Sequence, residues 1–440
     1  MELEVEALAH GGMGLARLEG RAVFVPRAAP GDCIRARLES DKDNYARAEL
    51  LDVLAPGPGR REPPCPYYSA CGGCQLQHLD AETQAHWKRA IFGETLRRVG
   101  GIAPPEDLPS LPPRGAPLGY RRWVRFQLRG GELGFFAARS HHLVPVERCL
   151  LAVEPINRLI PPLRAFLRAH PELAAGGALE VAWRGEGEGC LLHVIADSSR
   201  GRARRRGAMK LPRRSLSLWA EFGRAQGVAV AAEGKLLSGS PEEARSVLSL
   251  PLDDRAEPLR LGASPGRFLQ PNARENGALV GAVLELARPR PGDQPVDLFC
   301  GVGNLSLPLA ARAGSVLGVE LDPLTVRDAR RNARECAISG CQFLCGEAGA
   351  VLRERVVGKF SPRLIVLDPP RNGAPSALEP IAGAGPERVV YVSCDPATLA
   401  RDVRTLAGRG YRLAASRLVP MFPQNHHIES VNLLLRGVES

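Results

Sequence analysis

Asp297-Leu298-Phe299-Cys300-Gly301-Val302-Gly303-Asn304-Leu305 separates an apolar run from Pro295 to Phe299 from a helical pattern reaching Ala313. Its two glycines let the backbone turn tightly and approach a ligand. The next apolar run, Ser315 to Glu320, ends in a carboxylate, placed to accept the two hydroxyls of a ribose. Gly301-x-Gly303 lacks the third glycine of the dinucleotide fingerprint, so no pyrophosphate need sit on the helix that follows. That favours S-adenosylmethionine over a nicotinamide or flavin dinucleotide. Outward from this loop come a helix from about Pro323 to Cys336 and strands at Leu364 to Leu367, Val389 to Ser393 and Val431 to Leu435. Strands spaced by helical lengths predict a mostly parallel sheet covered on both faces, an α/β Rossmann-like unit over 261–440.

Tyr391-Val392-Ser393-Cys394-Asp395-Pro396 ends one of those strands with a thiol. Ligands bind at strand ends in open α/β sheets. Free cysteine is usually a buried core residue, and Cys394 alone would be read that way. Pro396 ends the strand at once and so sets the thiol at its terminus, and two groups accompany it: Asp368, a polar strand-end residue in Leu364-Ile365-Val366-Leu367-Asp368-Pro369-Pro370-Arg371, and Glu429, a late carboxylate in His427-Ile428-Glu429. A thiolate, a polar strand-end group and a late carboxylate suit attack at C6 of a pyrimidine, alkylation at C5 and removal of the C5 proton. Glu347, after the third strand, and Gln270, in Phe268-Leu269-Gln270-Pro271-Asn272, are further candidates for the cofactor or base.

The chain holds eleven cysteines and begins with an acidic, alternating Met1-Glu2-Leu3-Glu4-Val5-Glu6 rather than an export signal. It has no run of ~18 apolar residues. A cytoplasmic location without a membrane anchor is expected, so clustered cysteines read as metal or catalytic sites rather than disulfides. Cys65-x5-Cys71-Gly72-Gly73-Cys74 offers three ligands, and Cys149 is the best fourth. Four thiolates with a single Cys-x2-Cys knuckle point to a [4Fe-4S] cluster, with zinc as runner-up. Cys336, Cys341 and Cys345 read as packing.

Residues 1–57 show short alternating runs between Gly11-Gly12, Pro30-Gly31-Asp32 and Asp41–Asn44 turns, which predicts a small OB-like β-barrel. Pro56-Gly57-Pro58-Gly59 is a linker. Residues 58–260 mix strand-like and helical runs, an α+β middle domain carrying the cysteines. Apolar and charged contents of 44% and 24% are those of a globular protein. The net charge of +10 lies mostly in the middle, with arginines crowded between Arg200 and Arg214, and implies a polyanionic partner.

These residues jointly resemble the bacterial 23S rRNA (uracil-5-)-methyltransferases and the wider RNA 5-methyluridine methyltransferase family, almost end to end. His10-Gly11-Gly12-Met13-Gly14 through Pro30-Gly31-Asp32 resembles the family's TRAM domain, an RNA-binding barrel. The resemblance implies cluster ligands at Cys65, Cys71, Cys74 and Cys149. It implies S-adenosylmethionine contacts at Gln270, Phe299, Asn304, Glu320, Glu347 and Asp368, a nucleophile at Cys394 and a general base at Glu429. Gln75–Leu79 and Lys88 also fit. The chain departs from the family at Glu347, usually Asp or Asn, and at Asn425, usually Thr. The expected activity is methylation of uridine C5 in structured RNA, 23S rRNA first and tRNA second, with no obligate protein partner. A non-catalytic RNA-binding or ribosome-assembly factor is the reading from another class.

Overall fold

The computed structural model describes residues 1–185, 189–196, 210–253 and 255–437. Five strands, β1 (Glu2–Ala9), β2 (Met13–Leu18), β3 (Arg21–Pro26), β4 (Cys33–Asp41) and β5 (Tyr45–Ala55), form a closed barrel in the order β1-β2-β3-β5-β4. Period-two alternation turns Leu3, Val5, Val23, Val25, Ile34, Ala46 and Ala48 inward. Closure leaves no free edge on the barrel.

Next come α1 (Ala81–Thr95), β6 (Trp123–Arg129), β7 (Glu132–Phe136), β8 (Leu143–Pro145), α2 (Glu154–Ala169), β9 (Ala178–Trp183), β10 (Cys190–Ile195), α3 (Arg213–Gln226), β11 (Ala229–Ala232) and β12 (Lys235–Ser238). The strands form one sheet, β12-β11-β10-β9-β6-β7-β8. Leu159, Ile160, Leu163 and Leu167 of α2 and Trp219 and Phe222 of α3 bury against it. The opposite face carries Arg125, Glu180 and His193, which are linked across adjacent strands. The predicted arginine cluster lies partly outside the described residues, which resume at Lys210.

A hairpin of β13 (Ser246–Leu250) and β14 (Leu259–Ala263) flanks the boundary expected at residue 260. Its inward leucines join the core of the C-terminal sheet rather than the middle one. That sheet is built from α4 (Ala273–Ala287), β15 (Val296–Leu298), α5 (Ser306–Ala313), β16 (Val316–Glu320), α6 (Pro323–Glu335), β17 (Cys341–Cys345), α7 (Ala348–Arg355), β18 (Leu364–Leu367), α8 (Pro375–Ala384), β19 (Arg388–Ser393), α9 (Pro396–Ala407), β20 (Tyr411–Val419) and β21 (Glu429–Arg436). The order is β17-β16-β15-β18-β19-β21-β20, parallel from β17 to β19 and antiparallel at β21 and β20. All four residues of β18 are buried, as expected for a central strand with helices on both faces. Asp322 and Asp395 cap α6 and α9, each with proline at the first helical position. Among the described residues no helix is long and apolar enough to cross a membrane.

Candidate active site

The loop after β15 holds three left-handed residues, Phe299, Gly301 and Gly303, with φ of 60°, 54° and 96°. At Gly303 the φ favours glycine, and a Cβ would in addition displace the Leu307 methyl, 2.5 Å from it. Glu320, at the end of β16, accepts the Gly301 amide at 3.2 Å on one oxygen and the Asp322 amide at 3.0 Å on the other. Its carboxylate is thereby aimed at the loop. Asn304 exchanges two hydrogen bonds with Asn276 of α4, at 2.8 and 2.9 Å. Gln270 is half-buried, and its side chain has no hydrogen-bond partner among the described residues. Glu347 serves its own helix. It caps α7 through the amides of Gly349 and Ala350 and accepts the Ser376 hydroxyl at 2.7 Å. Those three bonds fix the direction of its carboxylate and leave one of about four acceptor sites open.

Cys394, Glu429 and Asp368 meet at the C-terminal end of this sheet. The antiparallel register pairs Ser393 with Ser430, and one more step sets Cys394 opposite Glu429. Asp368 follows β18, the parallel neighbour of β19. Burial pushes the Cys394 thiol up to about 12, reinforced by the charges of Glu429 and Asp368 and opposed by Arg371. Burial also raises the carboxyls of Glu429 and Asp368, and the charge of Asp368 holds Glu429 higher still. Asp297, fully buried beneath the cofactor loop, is pushed up to about 7 by burial, and one of its oxygens has no partner.

The protonated state of the thiol is testable. Alkylation of Cys394 by iodoacetamide in the free protein at pH 7 should be slower than that of free cysteine by a factor on the order of 10³. It should rise with pH towards about 12, because only the thiolate reacts. Glu429→Gln removes a negative charge that opposes ionisation, so the midpoint should move down. Peptide mass spectrometry across pH reads both, and an unmoved midpoint in the variant contradicts the coupling.

Residues 421–428 approach Glu429 along a path tied at almost every step. Lys88, in α1, donates to the Phe422 carbonyl at 2.8 Å, and burial lowers its ammonium to about 7. Tyr120 donates to the Pro423 carbonyl at 3.0 Å. Gln424, left-handed at φ 65°, receives Arg61 and Gln84 on its side chain, while its carbonyl receives the amides of Gln75 and Leu76. Asn425 donates to the Gly73 carbonyl at 3.0 Å and accepts the His427 amide at 3.1 Å. Arg371 lies 2.8 Å from Nε2 of His427, whose pKa falls to about 3 through burial and the neighbouring His426 and Arg371 charges; the neutral ring then accepts the bond. The sequence reading assigns no role to Arg371. Its place two residues beyond Pro369 was the only signal.

Cys65, Cys71, Cys74 and Cys149 line one cavity of about 180 Å³ with Arg121. Cys149 is fixed by Asn157, which accepts its amide at 2.9 Å and donates to its carbonyl. Burial raises the thiols of Cys71, Cys74 and Cys149, and each is held higher by the charge of another of the four. Yet among the described residues no three His, Cys, Asp or Glu side chains are grouped tightly enough to hold a metal ion. The four thiols share a cavity but are not drawn together as a coordination set. Of the other cysteines, Cys336 packs in the core as predicted, whereas Cys345 is exposed.

Residues 1–51 match the model of the TRAM domain, and residues 248–437 match that of tRNA (Uracil-5-)-methyltransferase. A 23S rRNA (uracil(1939)-C(5))-methyltransferase RlmD from Shewanella sp. (strain MR-7) is 35% identical over 98% of this chain and 94% of its own length. This chain belongs to the RNA uracil-5-methyltransferase family. The RlmD of Shewanella baltica (strain OS195) is 36% identical, covering 98% of this chain and 95% of the relative. The Pyrococcus abyssi tRNA (uracil-54, C5)-methyltransferase, solved with S-adenosyl-L-homocysteine, shares the fold with a TM-score of 0.70 at 22% identity, over 99% of this chain and 100% of that one. Family membership accounts for the barrel, for the strand–loop–helix around Gly301 and for the parallel sheet that carries Cys394.

Proposed function

We propose that the chain is an S-adenosylmethionine-dependent RNA (uracil-C5)-methyltransferase acting on 23S rRNA, with Cys394 as nucleophile and Glu429 as general base. The observation that carries the residue roles is the β19–β21 register, which continues to Cys394 opposite Glu429 beside Asp368. The curated relatives carry the substrate, since the RlmD proteins name rRNA uracil-C5 methylation over nearly their whole length.

The cofactor brings an electrophilic methyl group on a sulfonium. Glu320 is oriented to take ribose hydroxyls, the glycines of 301–303 clear room for the backbone, and Gln270 is free to bond the donor or the base. Phe299 and Asn304 shape the same loop, and Asp368 faces the reacting end. The target uridine must leave its stack to reach this recess. Cys394 Sγ, once deprotonated, bonds to C6, and the C5=C6 electron pair moves to C5 as an enolate. The C5 electron pair bonds to the methyl carbon while the S–CH3 pair stays on the donor's sulfur, which would leave as a neutral thioether. Glu429 removes the C5 proton, the C–H pair restores C5=C6, and the C6–S pair leaves with sulfur as thiolate. Its elevated pKa makes Glu429 a stronger base than an ordinary carboxylate.

The barrel serves RNA binding, and its His10 ring lies 6.3 Å from that of His426 at the rim of the base-bearing loop. The four-thiol cavity fits a [4Fe-4S] cluster by donor type, with Arg121 beside the negative charge that four thiolates bring. Cys65, Cys71, Cys74 and Cys149 would hold it. Elemental analysis of protein purified without oxygen should find iron and sulfide. Cys149→Ala should lose most of both, together with the visible absorption. Zinc in their place establishes the runner-up.

Mapping 5-methyluridine by mass spectrometry in 23S rRNA and tRNA, from cells with and without the gene, tests the function. Loss of one rRNA mark with tRNA unchanged is the expected result. Loss confined to tRNA transfers the activity to the second substrate.

A further inference from the structure

Leu248, Leu250, Leu259 and Leu261 turn inward from the β13–β14 hairpin, so its other face presents Val247, Ser249 and Arg260 outward. That face forms one wall of a cavity of about 760 Å³. Trp183, at the end of β9, and Arg122 form another. The Arg122 guanidinium lies 4.8 Å from the indole centroid and donates to the Val247 carbonyl at 2.6 Å, which joins the two walls. The first turn of α4 and the segment from Arg114 to Tyr120 complete the enclosure. Glu275 holds that segment through the amides of Arg114 and Gly115, at 2.7 and 3.1 Å.

Arg114, Arg260 and Arg274 are exposed, and none of their guanidinium groups has a hydrogen bond or ion pair with any described residue. Like charges set around one cavity repel, unless an anion joins them. The N-terminal turn of α4 adds its positive end to the same wall. A volume of this size suits a nucleotide. An indole offers a stacking face to any base, and arginine forks bind phosphate in two places at once.

We infer that this cavity is a second nucleotide pocket, distinct from the recess at Cys394, in which Arg114, Arg260 and Arg274 hold a phosphate and Trp183 stacks on a base. The inference rests on the proposed RNA substrate: the occupant is a nucleotide of the same RNA strand, outside the target uridine. Two contacts place the pocket directly behind the active site. Tyr120, on its wall, bonds the Pro423 carbonyl, and Asn272, at the cap of α4, donates to the Met421 carbonyl at 3.2 Å. RNA seated here therefore lies behind the segment that leads to Glu429, without reaching Cys394 or Glu429, and adds to binding rather than to the chemical step.

The test compares wild type with Arg114→Ala/Arg260→Ala/Arg274→Ala and with the single variant Arg260→Glu. Substrates are a long rRNA fragment and a short oligonucleotide spanning only the target loop. Both variants should raise KM for the long fragment about tenfold or more and leave kcat, and all parameters for the short one, unchanged. The salt dependence of binding should flatten by about 0.7 in log–log slope for each single-strand phosphate that a variant no longer neutralises. Trp183→Phe, compared with wild type, should remove a fluorescence quench caused by the RNA. Equal KM values and equal salt slopes overturn the inference, as does quenching by free nucleoside 5′-phosphates but not by RNA. If wild type methylates neither RNA, the functional reading has failed; the salt slope still reports on the pocket.

Discussion

Replacing Cys394 with alanine is expected to lower methyl transfer by a factor on the order of 10⁴ or more, to the background of the assay. The reason is chemical rather than structural. C5 of uracil is a poor nucleophile until a group adds at C6, and Asp368 and Glu429, the acids beside Cys394, supply no sulfur. The side chain is half-buried at a strand end, outside the main core clusters, so alanine should cost little stability. Cys394→Ser is the sharper control, since it keeps the volume and replaces the thiol by an alcohol of far higher pKa. Tritiated methyl transfer to rRNA measures the loss, and binding of S-adenosylhomocysteine shows whether the donor pocket survives. A variant that retains a tenth of the activity would remove Cys394 from the nucleophile's role.

Glu429→Gln should stop the reaction one step later. Addition at C6 and methylation at C5 remain available, but the C5 proton has no acceptor, so the C6–S bond persists. A methylated RNA–protein conjugate should accumulate to near one per enzyme and survive denaturing electrophoresis, while turnover falls by a factor on the order of 10³ or more. In the wild type, the carboxyl raised by burial and by Asp368 predicts a rate that climbs with pH above the ordinary carboxylate range, as the base form fills. That limb should vanish in the glutamine variant. Free RNA and free enzyme, with no conjugate at any time, would assign the base to another residue. The doubly charged form of the Asp368–Glu429 pair is the costly one, so Asp368→Asn should shift the limb downward.

Much of the architecture could be read along the chain because its signals are local. Period-two alternation marked the barrel strands, and Pro396 marked the end of β19. The glycines at 301 and 303 announced a turn, and at Gly303, with φ of 96°, a side chain would be strained. The sequence reading leaves α7, α8, α9 and β20 unassigned: α8 carries Pro380 within it, and β20 is recognisable mainly through its pairing with β21. The hairpin at 246–263 shows the same limit, since its leucines say that it packs but not on which core. At the site, Cys394 and Glu429 lie far apart in sequence, and the antiparallel register that makes them neighbours is a tertiary fact. Glu347 shows the converse. A carboxylate ahead of a helix suits a ligand or a cap equally, and the three short hydrogen bonds to Gly349, Ala350 and Ser376 that make it a cap have no local signal. Arg371 has only its place after Pro369-Pro370 to mark it, and the cavity around Trp183 has no local signature.

The path from Met421 to Ile428 has a consequence for anyone who would build chimeras from this enzyme. It is held by Lys88, Gln84 and Arg61 on one side, by the backbone of residues 73–76 on another, and by Tyr120 on a third. The barrel meets the same junction, where a Cβ on Gly12 would stand 3.0 Å from Gln75 and Leu76. A foreign barrel grafted at the Pro56–Gly59 linker would inherit this junction without the surface that fits it. The exchangeable cassette is therefore discontinuous, and a working hybrid must carry residues 8–14, 73–77 and 421–427 from one parent.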